Sequence, residues 1–292
     1  DITLGFCGVS FHGDRELLYR INLLARLPFR VLVKLGEFPS IDGDELYESI
    51  QGIDWGQYLT PDLTMAVTVT GKNAQLNHSH FTAVQVKRAI TTQQTKQFGD
   101  RSNVDITDPD VRINVHIDKD ISTVSLDSSG SSLHRRGYRS AVGDAPLKES
   151  LAAALVKMSG WTPDLAFVDP LCGSGTLPLE AAMQALNIAP GVFRESFGFE
   201  RWLDFDPELF DRLLKAAEAA EKKDIQPTII GSDRSYEIIQ QAQSNALKSG
   251  VGSYIQFAQL ELADVEAPAD TGILLCNPPY GERLGRDEAL GA

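Results

Sequence analysis

Cysteine is scarce. There are 3 in 292 residues, Cys7, Cys172 and Cys276, far apart and with no Cys-x-x-Cys pair. That argues against a disulfide framework and against a structural zinc site, and makes the reducing cytoplasm the expected location. No apolar run reaches the ~18 residues that a membrane span needs, and no signal peptide is visible. Neither Gly-x-Gly-x-x-Gly nor a Gly-Lys-Ser/Thr loop occurs, so the common dinucleotide and triphosphate cradles are missing. His78-x-His80 has no third ligand nearby, and no metal is expected. Positive charge is also short: 27 Lys+Arg face 40 Asp+Glu, a net charge of −13. The deficit is uneven, with 15 against 17 (−2) in residues 1–140 and 12 against 23 (−11) in residues 141–292. Global charge thus argues against a nucleic-acid partner, and any such contact must come from local clusters. The first residue is Asp rather than Met, and the chain is read as an excerpt of a longer protein.

What is present falls into two halves. GVSFHG, FRVLVKLGEF and LTMAVTVTG alternate like strands, while DRELLYRINLLARL and DGDELYESIQGI have helical spacing. SHFTAVQVKRAITTQQTKQF predicts an amphipathic helix capped by Ser79, with apolar residues at 81, 84, 86 and 90. VRINVHID and ISTVSLDSSG predict a hairpin turning at residues 119 and 120. Paired strands with helices between them make residues 1–127 an α+β region. The polar, Gly-containing stretch 128–146 is the expected linker. From 147 the pattern becomes strand–helix alternation, the mark of a parallel α/β sheet with crossover helices.

The first strand of that second half ends in VDPLCGSGT. Asp169 and Pro170 close the strand, Cys172, Gly173, Ser174 and Gly175 form a turn, and a helix starts near Thr176. Glycines allow close backbone approach, and the helix start offers free N–H groups and partial positive charge. A carboxylate beside them would repel phosphate and welcome an ammonium. A ligand carrying both ammonium and carboxylate fits, such as the methionine end of S-adenosylmethionine. Asp233 ends the second strand, where a carboxylate can hold ribose hydroxyls. Glu261 ends the third and Asp264 follows, and either acid could meet an adenine amino group. Cys172 and Cys276 flank this region as small apolar fillers.

The fourth strand ends in Asn277-Pro278-Pro279-Tyr280. With this corner the sequence resembles the class I S-adenosylmethionine-dependent methyltransferases of the Asn/Asp-Pro-Pro-Tyr/Phe type, which modify exocyclic amines. It is most similar to the bacterial family that joins a THUMP RNA-binding domain to such a catalytic domain, the RlmL-type 23S rRNA guanine-N2 methyltransferases. LHRRGYR, APLKESLAAA, VDPLCGSGTLPLEAA and LLCNPPYGERLG carry the resemblance, together with VRINVHIDKDISTVSLDSSG in the first half. It implies a Rossmann-like methyltransferase domain over 147–292, ending after its fourth strand, preceded by a THUMP-like α+β region. It also implies S-adenosyl-L-methionine as cofactor and 23S ribosomal RNA as partner, with no membrane role. In the family the region of Lys148 and Glu149 lies over the cofactor.

The resemblance gives the corner a task. An exocyclic amine is a poor nucleophile because its lone pair is conjugated into the ring. The Asn277 side-chain carbonyl and the Pro278 backbone carbonyl, stiffened by Pro279, can take its two hydrogens and free that lone pair. Tyr280 can stack on the base. Transfer is then an in-line displacement dominated by positioning, with no general base required. His134, Arg135, Arg136 and Arg139 surround a Gly and a Tyr. Spacing alone leaves open phosphate contact or a solvated linker in which Arg139 pairs with an acid, and the resemblance favours RNA or interdomain contact. Lys87 and Arg88, with Lys96 and Arg101 beyond, add a candidate RNA-binding helix face. An adenine-N6 DNA methyltransferase shares the corner chemistry, and a non-catalytic RNA-binding or assembly module is the alternative from another class.

Overall fold

A computed structural model describes residues 2–5, 8–139, 147–223 and 226–278. The chain divides into two compact units: residues 1–22, 29–133 and 195–213, and residues 23–28, 134–194 and 214–292.

The first unit opens with a hairpin of β1 (Ile2–Gly5) and β2 (Gly8–Phe11), followed by α1 (Arg15–Leu24), whose last residues belong to the second unit. Next come β3 (Leu32–Pro39), α2 (Gly43–Gln51), β4 (Met65–Lys72), α3 (Ser79–Phe98), β5 (Val111–Asp118) and β6 (Ile121–Asp127). Their sheet has the order β3-β6-β5-β4, with β4 parallel to β5 and the other pairs antiparallel. The hairpin β5–β6 turns at Lys119 and Asp120 as the sequence predicts, with Lys119 at φ +55°. Val111, Ile113, Val115 and Ile117 alternate into the core, where Trp55 is fully buried and donates its indole N–H to the Ile50 carbonyl at 2.8 Å.

Three local expectations change. His78, not Ser79, caps α3, its ring nitrogen accepting from the Phe81 N–H at 3.2 Å. The buried face of α3 runs through Thr82, Val86, Ala89, Ile90 and Gln94, while Phe81 and Val84 are exposed. Polar residues can line a core when their hydrogen bonds close inside it: Gln94 donates to the Leu59 carbonyl and the Ser102 hydroxyl. The expected linker is packed at its start and exposed in part beyond it. Ser128 and Ser129 are fully buried, Ser128 donating its hydroxyl to the Val31 carbonyl and Ser129 to Asn22 Oδ1. Residues 140–146 lie outside the described residues.

The second unit contains α4 (Glu149–Met158), β7 (Ala166–Asp169), α5 (Thr176–Ala185), α6 (Pro207–Ala219, its start in the first unit), β8 (Ile229–Asp233), α7 (Tyr236–Lys248), β9 (Gln256–Gln259) and β10 (Gly272–Leu274). The sheet order is β10-β7-β8-β9, all parallel. The chain leaves β7 for β8 on one side and returns as β10 on the other. Their boundary is therefore the switch point, where open α/β sheets leave a crevice beyond the carboxyl ends. α5 is buried along nearly its whole length, as its Leu- and Ala-rich sequence requires. Its lone acid, Glu180, is fully buried and is met by Arg136 Nε at 3.4 Å and the Tyr138 hydroxyl at 3.5 Å.

Candidate active site

The turn after β7 is built around two glycines that differ in kind. Gly175 has φ +86°, and a Cβ there would stand 2.9 Å from Leu179 Cδ1 and 3.1 Å from both Ala242 and Phe257. Only glycine combines that conformation with that contact. Gly173 has φ +53° and open space where a Cβ would project. Gly175 closes the turn against the core, and Gly173 leaves open space beside the backbone at the carboxyl edge.

Several hydrogen bonds hold the turn. The Cys172 N–H donates to the Ser232 carbonyl at 2.8 Å, and the Gly173 N–H donates to Asp233 Oδ2 at 3.2 Å. Asn245, buried on α7, donates to the Ser174 carbonyl at 3.1 Å. Thr176 begins α5 and is buried, its hydroxyl accepting from Arg139 Nη2 at 2.8 Å. Asn245 and Ser232 escaped the sequence reading because neither lies in a motif, and only packing brings them to the turn.

Asp169 is 1% exposed and accepts from the Leu171 N–H at 3.2 Å. Burial, with smaller repulsion from Asp233, lifts its pKa to about 7. Asp233 is partly exposed, and its Oδ1 accepts from the Ser235 N–H at 3.0 Å. Burial, with Asp169 and Asp233 adding to it, also pushes the Cys172 thiol up, so it stays protonated and is no nucleophile. Cys276 is raised too, by burial and then by Asp169. β9 ends at Gln259, earlier than expected, and Glu261 instead caps a 3₁₀ turn, Leu262–Asp264. Glu261 and Asp264 are both exposed.

On the other side of β7, β10 pairs Leu274 with Val168, and the Leu275 N–H continues the ladder to the Val168 carbonyl at 2.9 Å. Asn277 follows two residues later, half-buried, with Pro278 exposed. Asp169 and Asn277 thus leave neighbouring parallel strands at the same edge. Pro170 lies just past the end of β7, and Pro279 and Tyr280 lie outside the described residues.

The basic cluster is reorganised. Arg136 is 2% exposed and also donates to the Arg26 carbonyl, and Arg139 is turned inward against Glu149. Burial, with the surrounding cations, lowers His134 to about 4, so it is neutral at pH 7. Of these four residues Arg135 is exposed, Arg136 is buried, and His134 and Arg139 lie between the two. Lys87 and Arg88 are exposed on α3, with the Arg88 guanidinium 5.6 Å from the Tyr47 ring centroid. Among the described residues no cluster of three or more His, Cys, Asp or Glu could hold a metal, and no helix is long and apolar enough to cross a membrane.

Residues 136–292 match the family described as UPF0020, RMKL-like, methyltransferase domain, and residues 42–127 match the THUMP domain. A candidate RNA methyltransferase of Synechocystis sp. is 54% identical over 98% of this chain and 74% of its own length. The ribosomal RNA large subunit methyltransferase K/L of Syntrophotalea carbinolica is 43% identical over 97% of this chain. The chain spans only 41% of that relative. A crystal structure of SMU.472, described as a candidate methyltransferase complexed with SAH, superposes with TM-score 0.87 at 34% identity, covering 99% of this chain and 76% of that one.

Proposed function

This chain belongs to the RMKL-like methyltransferase family and carries a THUMP domain, and from that premise we propose that it methylates the exocyclic N2 amine of a guanine in 23S ribosomal RNA, using S-adenosylmethionine, in the cytoplasm. The observation that carries the reading is the shared edge: the glycine turn after β7 and Asn277 after β10 leave adjacent parallel strands at the switch point.

The residues present fit the donor. The open space beside Gly173 and the free N–H groups at the start of α5 suit its carboxylate, and buried Asp169 suits its ammonium. Asp233 is the acceptor for ribose hydroxyls, and Glu261 or Asp264 for the adenine amine. When bound, S-adenosylmethionine supplies an electrophilic methyl on a sulfonium. Asn277 and Pro278 accept the hydrogens of the target amine, Pro279 stiffens the second carbonyl, and Tyr280 stacks on the base. The raised Cys172 thiol leaves no competing nucleophile on the turn. Lys87, Arg88 and Arg135 contact phosphates, a reading supported by their exposure and by the THUMP match.

Labelled methyl transfer by the full-length protein tests this. Label should enter ribosomal RNA lacking the modification and not duplex DNA. Transfer to DNA alone would sink the reading, and donor binding without transfer to either substrate would favour a binding module.

A further inference from the structure

Arg139 stands in a basic run in the sequence, yet the fold turns it inward. Nη2 donates to Thr176 Oγ1 at 2.8 Å and to the Leu147 carbonyl at 3.2 Å, and Nε lies 3.3 Å from Glu149 Oε1. One guanidinium thereby ties the start of α5 to the start of α4 and to Leu147, two residues ahead of it. The pair is desolvated, with side chains 13% and 6% exposed. Glu149 offsets the charge, so the clamp acts by orientation more than by attraction.

The consequence lies in the hydroxyl. Thr176 has one hydrogen and two lone pairs on its oxygen. Because it accepts from Arg139, its own hydrogen must point elsewhere, and a hydroxyl that accepts from a cation is a better donor. Thr176 is also the residue directly after Gly175, at the end of α5 whose backbone N–H groups are unused by the helix.

We propose that Arg139 is a positioning residue for the donor site: it fixes the Thr176 hydroxyl so that it donates to the carboxylate of the methionine moiety. This rests on the reading that the donor binds on the β7–α5 turn. It gives Arg139 a role other than phosphate contact, and it predicts that the effect depends on the amino-acid end of the ligand.

The test uses two probes with the full-length protein in calorimetry. S-adenosylhomocysteine carries the amino-acid end, carboxylate and ammonium together, and 5′-methylthioadenosine lacks all of it. Thr176→Val and Arg139→Lys should each weaken S-adenosylhomocysteine about tenfold, the loss of one hydrogen bond to a charged group, and leave 5′-methylthioadenosine unchanged. Thr176→Ser should behave as wild type, and the double variant Arg139→Lys/Thr176→Val should bind no worse than Thr176→Val. Thr176→Val leaves the Arg139–Glu149 pair intact and covers the case in which the arginine variant does not fold. Equal weakening of both probes would mean simple collapse of the turn and overturn the inference. So would unchanged S-adenosylhomocysteine binding with lost RNA affinity. If the wild type binds neither probe, the donor-site reading itself has failed.

Discussion

Asp169 and Asn277 divide the proposed chemistry between them, one facing the donor and the other the acceptor. Asp169 has its pKa raised from 3.8 to about 7, chiefly by burial. The sign follows directly. Between about pH 4 and 7 the unfolded chain has released this proton while the folded chain still holds it, so folding stability falls as pH rises through that window. The penalty is complete above it. Asp169→Asn removes the penalty, so the ligand-free variant should melt higher than wild type at about pH 8, with the gain vanishing toward about pH 4. Scanning calorimetry at both pH values checks this. An ammonium ligand favours the ionised form, so S-adenosylhomocysteine should bind wild type more tightly as pH rises through 7, and Asp169→Asn should lose that dependence. Asn277→Ala should lower turnover by about 10²–10³-fold, the usual cost of one donor or acceptor aimed at a reacting group, with cofactor affinity nearly unchanged. Parallel kinetics and calorimetry separate the two effects, and equal loss of both would contradict the assigned role.

At the scale of the element, the two glycines of the β7–α5 turn should part company. Gly175→Ala meets both the positive φ and the crowding by Leu179, Ala242 and Phe257, and should cost about 2–4 kcal/mol of stability in urea unfolding. Gly173→Ala meets only the φ penalty, about 1–2 kcal/mol, yet its methyl enters the open space at the carboxyl edge and should cut S-adenosylhomocysteine binding far more than stability. This turn was legible because its requirements are local: a strand that ends in Asp169, glycines where φ is positive, and a helix that follows at once. α3 was misread in detail for the opposite reason. Its 20 residues include Thr82, Thr91 and Gln94 on the buried side and Phe81 and Val84 outside, and hydropathy cannot foresee which polar side chains find partners inside. The basic cluster shows both cases: Arg139 meets Glu149, a nearby acid of the kind its spacing left open, while Arg136 meets Glu180 from a helix further along the chain, which no local pattern signals.

For the whole molecule, a contiguous division of the sequence misses an exchange. Segment 195–213 belongs to the first unit, and segment 23–28 to the second. In the first unit the Tyr19 ring stacks on Phe199 at 4.3 Å between centroids, with Phe205 and Phe210 around it. In the second, Arg26 donates to the carbonyls of Met183 and Ile188. No periodicity signals such pairings, because they depend on where distant segments meet. A fragment of residues 1–133 alone should therefore lack a cooperative thermal transition by circular dichroism, and a sharp melt would show that the aromatic cluster is dispensable. The parallel sheet and its carboxyl edge follow from strand–helix alternation, whereas the order β10-β7-β8-β9 does not and is settled by which strands pack together. That edge is tested most directly by the product. Large-subunit ribosomal RNA lacking the modification is treated with the full-length protein and S-adenosylmethionine, digested to nucleosides and examined by mass spectrometry. N2-methylguanosine is the expected new species, lost with Asn277→Ala. A new N6-methyladenosine in its place would contradict the account.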